Sequence, residues 1–329
     1  MTAAQFKKLA LFAAKASITV FLIWLVVRNI DLYDTVQRVR SVPLWVIPVT
    51  LGLIFIQFAM GIWRWRIIIA QLGETLPVRQ ALRYFIEGQF FNQALPSTVG
   101  GDGVRMFRVL RSGLRLETAV NGVILDRVVG LASLILLVAL AQPLFYDRID
   151  DQAARGAFTG IFAVAAAAVI GLLFMARLPE TWHRWAIIRG VVALSRAARQ
   201  AFLRPAVLAP VVAVSLIGHT LVIGVFYTIA MGLGLAVTFV DCFTLVPAVL
   251  LLATIPISIA GWGLREGAMV AAFALIGVPG GGAAALSILF GLALVLASLP
   301  GGLLWLMSAE RPVGDMESPP EQESNPVQP

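Results

Sequence analysis

The sequence predicts an all-α polytopic membrane helix bundle: about six full spans plus two broken or re-entrant helical hairpins, eight membrane elements related as an inverted repeat. Three observations predict it. The 329 residues are 59% apolar and only 13% charged, with a mean hydropathy of +0.89. A soluble domain is roughly 45–50% apolar and roughly 25% charged, so a water-soluble enzyme is excluded. Six apolar stretches approach the roughly 20 residues that a helix needs to cross a bilayer core. Two further apolar segments carry helix breakers at their centres and share a pattern of special residues.

The elements follow in chain order. The first span, about residues 10–27, follows Lys7 and Lys8. The run Arg28-Asn29-Ile30-Asp31 offers no small-residue cleavage site, so the segment reads as a retained anchor rather than a signal peptide. The second span, about 44–62, runs into Trp63-Arg64-Trp65-Arg66, which reads as an interfacial aromatic and basic belt. The first broken segment, about 84–105, holds Glu87, Asn92, Pro96 and Gly100-Gly101-Asp102-Gly103. The third span, about 119–141, carries Asp126 and Arg127, and the fourth covers about 157–176. Between Arg177 and Arg204, six arginines with Trp182 and Trp185 describe an amphipathic helix on an anionic leaflet. The fifth span, about 206–231, contains His219. The second broken segment, about 243–277, holds Pro247, Pro256, Gly261, Gly263, Arg265 and Glu266, and the sixth span is about 283–307. Residues 1–309 therefore form one membrane domain. Residues 310–329, with five prolines and five carboxylates, read as a disordered cytoplasmic tail.

Composition also removes several chemistries. The lone Cys242 makes no intrachain disulfide or multi-cysteine metal site. His183 and His219 have no zinc-binding spacing. No Lys-Ser/Thr follows Gly100-Gly101-Asp102-Gly103, so no phosphate-binding loop of the nucleotide type is formed. No metal or cofactor is expected. The net charge of +7, carried by 22 arginines and three lysines, is explained by membrane topology rather than by nucleic acid.

The two broken segments align without a gap. Residues 96–105 read PSTVGGDGVR and residues 256–265 read PISIAGWGLR. Pro96, Gly101, Gly103 and Arg105 meet Pro256, Gly261, Gly263 and Arg265 at one constant offset. Paired interrupted segments at corresponding places in two halves point to a transporter's binding site. If both are re-entrant, the cytoplasmic side holds 17 basic residues and the opposite side five. That asymmetry places both termini in the cytoplasm. Three spans separate the hairpins, so the first enters from inside and the second from outside.

The glycines permit close backbone approach or positive φ. With Arg105 or Arg265 beside exposed N–H groups, each hairpin suits the phosphate of a lipid headgroup. The alternative is that glycine and proline only turn the chain while the arginines snorkel. Ionisable residues inside spans are costly and usually functional. Asp126 and Arg127 call for partners: Asp126 with Arg105, and Arg127 with Asp102 or Glu87. Glu87 and Asp102 are also candidates for carrying a coupling proton. Asn92 is a candidate for satisfying its hairpin's backbone. His219 reads as a packing residue or a proton relay.

Taken together, the run from Asn92 to Arg105, the run Leu125-Asp126-Arg127-Val128-Val129-Gly130 and the run from Pro256 to Gly267 resemble the flippase-like transmembrane domain of lysylphosphatidylglycerol synthases. The likeness covers about residues 8–308. It implies a bacterial inner-membrane protein handling lipid headgroups. Its signatures fall on Asn92, Pro96, Gly100, Gly101, Asp102, Arg105, Asp126, Arg127, Gly261, Gly263, Arg265 and Glu266 as the headgroup-binding positions. The short tail after Met307 carries no soluble aminoacyltransferase domain, so lysyl transfer is not expected. The implied activity is movement of an anionic lipid, a membrane phospholipid or a polyprenyl- or hopanoid-type lipid, between leaflets. The alternative is an accessory subunit that presents a lipid to a glycosyltransferase or another lipid-synthesis enzyme. An intramembrane transferase using Asp102, Asp126 or Glu266 as a base ranks last, because no nucleophile–base pair can be assembled.

Overall fold

A computed structural model describes residues 32–95, 100–177, 205–255 and 261–308, with isolated helical residues between 17 and 28 and between 192 and 199. Among the described residues there are ten α-helices: α1 (Leu32–Arg40), α2 (Val46–Gln71), α3 (Val78–Ala94), α4 (Gly100–Arg111), α5 (Leu116–Arg148), α6 (Gln152–Phe174), α7 (Pro205–Gly232), α8 (Phe239–Ala253), α9 (Leu264–Ala274) and α10 (Gly280–Leu306). Five of these, α2, α5, α6, α7 and α10, are long and apolar enough to cross a membrane. They correspond to the second to sixth expected spans. The first expected span, the surface helix between Arg177 and Arg204, Pro96, Pro256 and the tail 310–329 fall wholly or largely outside the described residues.

Each broken segment folds as two short helices around a break. In the first, Asn92 lies beside Gly101, Gly88 beside Arg105, and Glu87 bonds Arg108, so α3 and α4 run antiparallel as a hairpin. A Cβ on Gly101 would collide with the Gly88 carbonyl, and this is where the arms cross. The 17 residues of α3 and 12 of α4 span about 25 and 18 Å at 1.5 Å per residue. Neither arm reaches across a hydrocarbon core of about 30 Å. The second hairpin pairs α8 with α9. There Gly261 and Gly263 take positive φ of 78° and 85°, a conformation that a Cβ disfavours. In the first hairpin Gly100, Gly101 and Gly103 are helical, so positive φ does not operate there; close approach does at Gly100 and Gly101 but not at Gly103, which has nothing within 4 Å.

The long helices pack through small residues, as expected where lipid supplies no hydrophobic drive between helices. On α7, Gly232, Gly224 and Gly218 receive Val46, Leu53 and Met60 of α2. As the α2 numbers rise the α7 numbers fall, so the pair is antiparallel. Gly301 and Gly302 of α10 let it cross α3 against the Ile86 carbonyl and the Phe90 ring. Phe226 of α7 stacks on Phe290 of α10 at 4.2 Å. By contrast, α6 buries only Phe158 and leans on α5 with its remaining surface outward.

The helix boundaries recur at the interval of the motif. Shifted by the step from Arg105 to Arg265, the helices α2, α3, α4 and α5 fall on α7, α8, α9 and α10, with no end departing by more than four positions. Packing recurs likewise: α3 lies on α10 while α8 lies on α5, and α2 with α7 forms the seam between the two sets.

Candidate functional site

The helix α2 continues nine residues past Ile62, and this decides where the Trp63–Arg66 run points. Trp63 is exposed, but Trp65 is fully buried and Arg64 faces into the bundle. The expected interfacial belt is therefore half wrong. A belt residue at a span end would face headgroups, whereas Ile67-Ile68-Ile69-Ala70 carries the apolar helix onward and leaves Arg64 and Trp65 inside.

Arg64 meets α5. Its Nε donates to Asp126 Oδ1 at 2.7 Å and its Nη1 to Ser215 Oγ of α7 at 3.2 Å. Arg105 of α4 donates from Nη2 to Asp126 Oδ2 at 3.1 Å. Its guanidinium lies 4.1 Å over the Trp65 ring and 4.9 Å from Phe85, where cation–π attraction helps hold a desolvated charge. Arg105 also approaches Asp102 at 3.6 Å. Arg127, next in sequence to Asp126, turns about 100° away on the helix. It grips Asp102 with two parallel bonds of 2.8 and 3.1 Å. Two pairs expected from sequence, Asp126 with Arg105 and Arg127 with Asp102, are thus present. Arg64 joins them as a partner that the sequence reading assigned to the membrane surface.

These groups wall a cavity of about 470 Å³, to which Gln57 and Arg64 of α2, Asp102 of α4, Asp126 and Arg127 of α5, His219 of α7 and Thr254 at the end of α8 contribute. Asp102 sits in the first turn of α4 and Thr254 is the C-cap of α8, so the tips of both hairpins reach the same cavity. Two guanidiniums and two carboxylates line it; Arg105, buried behind Asp126, is the third guanidinium and brings the five-residue cluster to +1. The side chain of Asp126 is 3% exposed, whereas that of Arg127 is 52% exposed, so Arg127 is the more accessible of the two. His219 Nε2 lies 3.0 Å from the Gly130 carbonyl, a bond across to α5 at the cavity wall.

Other expected site residues act structurally or elsewhere. Asn92 Oδ1 accepts from the Gly101 N–H at 3.1 Å, capping the start of α4. Glu87 lies apart from Arg127. It is fully buried and held by Arg108 at 2.7 Å and Arg83 at 3.0 Å. Both arginines also bond Ser308 beyond α10, and Arg108 stacks on Trp305 at 4.6 Å. In the second hairpin Arg265 turns to Glu266 at 2.7 Å and Ser287 at 2.9 Å. Glu266 reaches back to the Gly263 N–H and so caps α9. Both side chains are buried, and Arg265 lies against Trp262, Phe290 and Gly291. Gly261, Gly263, Arg265 and Glu266 form a closed cluster that does not line the cavity.

The charge count by side changes with these positions. Arg64, Arg105 and Arg108 belong to internal ion pairs rather than loops, so fourteen of the seventeen basic groups remain on the expected cytoplasmic side, against five. Outside the bundle, Glu74 of the α2–α3 turn accepts from Arg115 at 2.8 Å, and this hydrogen bond holds its carboxyl below the ordinary value.

Curated proteins offer no match to this sequence. The family described as the lysylphosphatidylglycerol synthase TM region matches residues 11–301, a stretch that contains both hairpins and the whole cavity wall. The chain belongs to the lysylphosphatidylglycerol synthase TM region family, and is a membrane protein of lipid-related function.

Proposed function

We propose that the protein is a lipid translocator of the bacterial inner membrane, which takes an anionic headgroup into the cavity and passes it between leaflets without a covalent step. One observation carries the reading: a cavity of about 470 Å³ backed by an ion-pair cluster of net charge +1, reached by the tips of two broken helices. A phosphodiester would neutralise that charge, with Arg127 the accessible cation and Gln57, Thr254 and His219 the neutral partners. Guanidinium pairs well with phosphate oxygens in bidentate geometry.

The two sets of four helices are read as an inverted repeat, with both termini cytoplasmic. The constant interval between corresponding helix boundaries and the antiparallel α2–α7 seam support it. So does the recurrence of an arginine bonded to the following long helix. Arg105 meets Asp126 of α5, and Arg265 meets Ser287 of α10. The fourteen-to-five basic asymmetry supports the orientation.

The test is leaflet exchange in liposomes containing the purified protein and a fluorescent anionic phospholipid. Exchange above protein-free vesicles, lost on Arg127→Gln, is the expected result. No exchange from correctly inserted protein refutes translocation. Co-purification with a glycosyltransferase or lipid-synthesis enzyme in that case would favour the accessory role.

A further inference from the structure

The two membrane faces of the bundle carry ties that correspond across the two halves, which the cavity chemistry does not use. On one face Arg148, the last residue of α5, forms an ion pair with Asp241 in the first turn of α8. On the other, Ser308, just past α10, accepts from Arg83 in the second turn of α3 and from Arg108 of α4, the latter at 2.9 Å. The step from Arg148 to Ser308 equals the step from Arg105 to Arg265, so the two positions correspond in the repeat. Each tie joins the long fourth helix of one half to the hairpin of the other. The tie lies at the membrane face, while that hairpin's tip lies at the cavity. Asp241 and Thr254 mark the two ends of α8, about 20 Å apart at 1.5 Å per residue.

We propose that the two ties are alternating gates, an inference that rests on the translocator reading. Release of Arg148 from Asp241 frees the α8–α9 hairpin from α5 and opens the cavity to the outer face. Release of Ser308 from Arg83 and Arg108 frees the α3–α4 hairpin from α10 and opens it to the inner face. The ties differ in strength. The outer one is a single ion pair whose arginine side chain is 41% exposed. The inner one is reinforced by buried Glu87 and by Trp305 under Arg108. The outer gate therefore opens more readily.

The gates are tested by side-specific labelling. Thr254→Cys, in a Cys242→Ala background, reports access to the cavity in sealed vesicles treated with a membrane-impermeant maleimide from either face. Arg148→Gln raises outer-face labelling about two- to fivefold over the Thr254→Cys parent, the range expected for loss of a partly exposed ion pair, and leaves inner-face labelling unchanged. Ser308→Ala does the reverse, and Arg148→Lys keeps the parent rates. Unchanged labelling, or an equal rise from both faces, overturns the proposal. Labelling needs no lipid movement, so the two readings fail separately. Face-specific labelling without lipid exchange refutes translocation alone. Face-blind labelling with exchange intact refutes the gates alone.

Discussion

Replacing Asp126 by Asn and Arg127 by Gln separates the charge that holds the bundle from the charge that meets a ligand. Asp126 is the shared acceptor of Arg64 at 2.7 Å and Arg105 at 3.1 Å, and its side chain is 3% exposed. At an effective dielectric of about 20, each contact attracts by about 4 kcal/mol at 4 Å. Asp126→Asn strands two guanidiniums and recovers only the desolvation of one carboxylate, for a net loss of about 3–5 kcal/mol. Arg127 is half exposed. Its removal leaves buried Asp102 with Arg105 alone, at 3.6 Å, and costs about 1–3 kcal/mol of stability. Binding changes the other way. The charge of the five-residue cluster rises from +1 to +2 with Asp126→Asn and falls to zero with Arg127→Gln. Losing a charge-assisted hydrogen bond of about 1.5–3 kcal/mol weakens an anionic phosphodiester lipid about 10- to 100-fold. The assay is thermal unfolding in detergent with and without that lipid, whose binding raises the midpoint by mass action. Asp126→Asn should unfold at the lowest temperature yet retain the lipid-induced rise, while Arg127→Gln should unfold between Asp126→Asn and the parent and lose the rise. If Arg127→Gln loses as much stability as Asp126→Asn, or Asp126→Asn alone loses the rise, the division of labour is refuted.

Three further outcomes are expected. Gly101→Ala drives a Cβ into the Gly88 carbonyl and should cost at least about 1–3 kcal/mol by overpacking. Gly103→Ala, with nothing within 4 Å, should be neutral or stabilise by up to about 1 kcal/mol; equal thermal shifts for the pair would refute the crossing. Trp65→Ala removes a fully buried ring from beneath Arg105 and should lower stability by about 3–5 kcal/mol, read from the unfolding midpoint. Glu74, held low by Arg115, should contribute fully above its ordinary 4.5 and lose that contribution as pH falls through the lowered value. Glu74→Gln should therefore lower the midpoint by the same amount across pH 7 to 5 and flatten the acid limb of a midpoint-against-pH curve.

The membrane class, the order of the long helices and both breaks were legible because lipid imposes them. About 20 apolar residues must be helical to satisfy their backbone, and Gly and Pro within them mark where that ladder stops. The pairs Asp126–Arg105 and Arg127–Asp102 were legible because charges inside spans demand partners. Arg64 and Trp65 were not, since an Arg-Trp alternation looks the same at an interface and inside a bundle until the helix end is fixed. The inner cluster of Arg83, Glu87, Arg108 and Ser308 was equally hidden. Its members come from α3, α4 and the far end of α10, and nothing in local spacing brings Ser308 to Glu87. Arg265 erred in the other direction. Its motif matches Arg105, but Glu266 follows immediately and neutralises it.

That last difference bears on why, among the described residues, the second hairpin carries no counterpart of the charged wall. Across the interval of the repeat, Asp102 meets Trp262, Asp126 meets Leu286 and Arg127 meets Ser287. The charged wall of the first half is thus replaced by a ring, an aliphatic chain and a hydroxyl. Trp262 and Arg265 press against Gly291, where a Cβ would come within 2.8 Å of the ring. The space that the first half leaves open is filled in the second. Two open arginine cavities in one membrane core would double the cost of desolvated charge while holding competing anions. The second half keeps helix boundaries at the same interval while carrying none of these three charges.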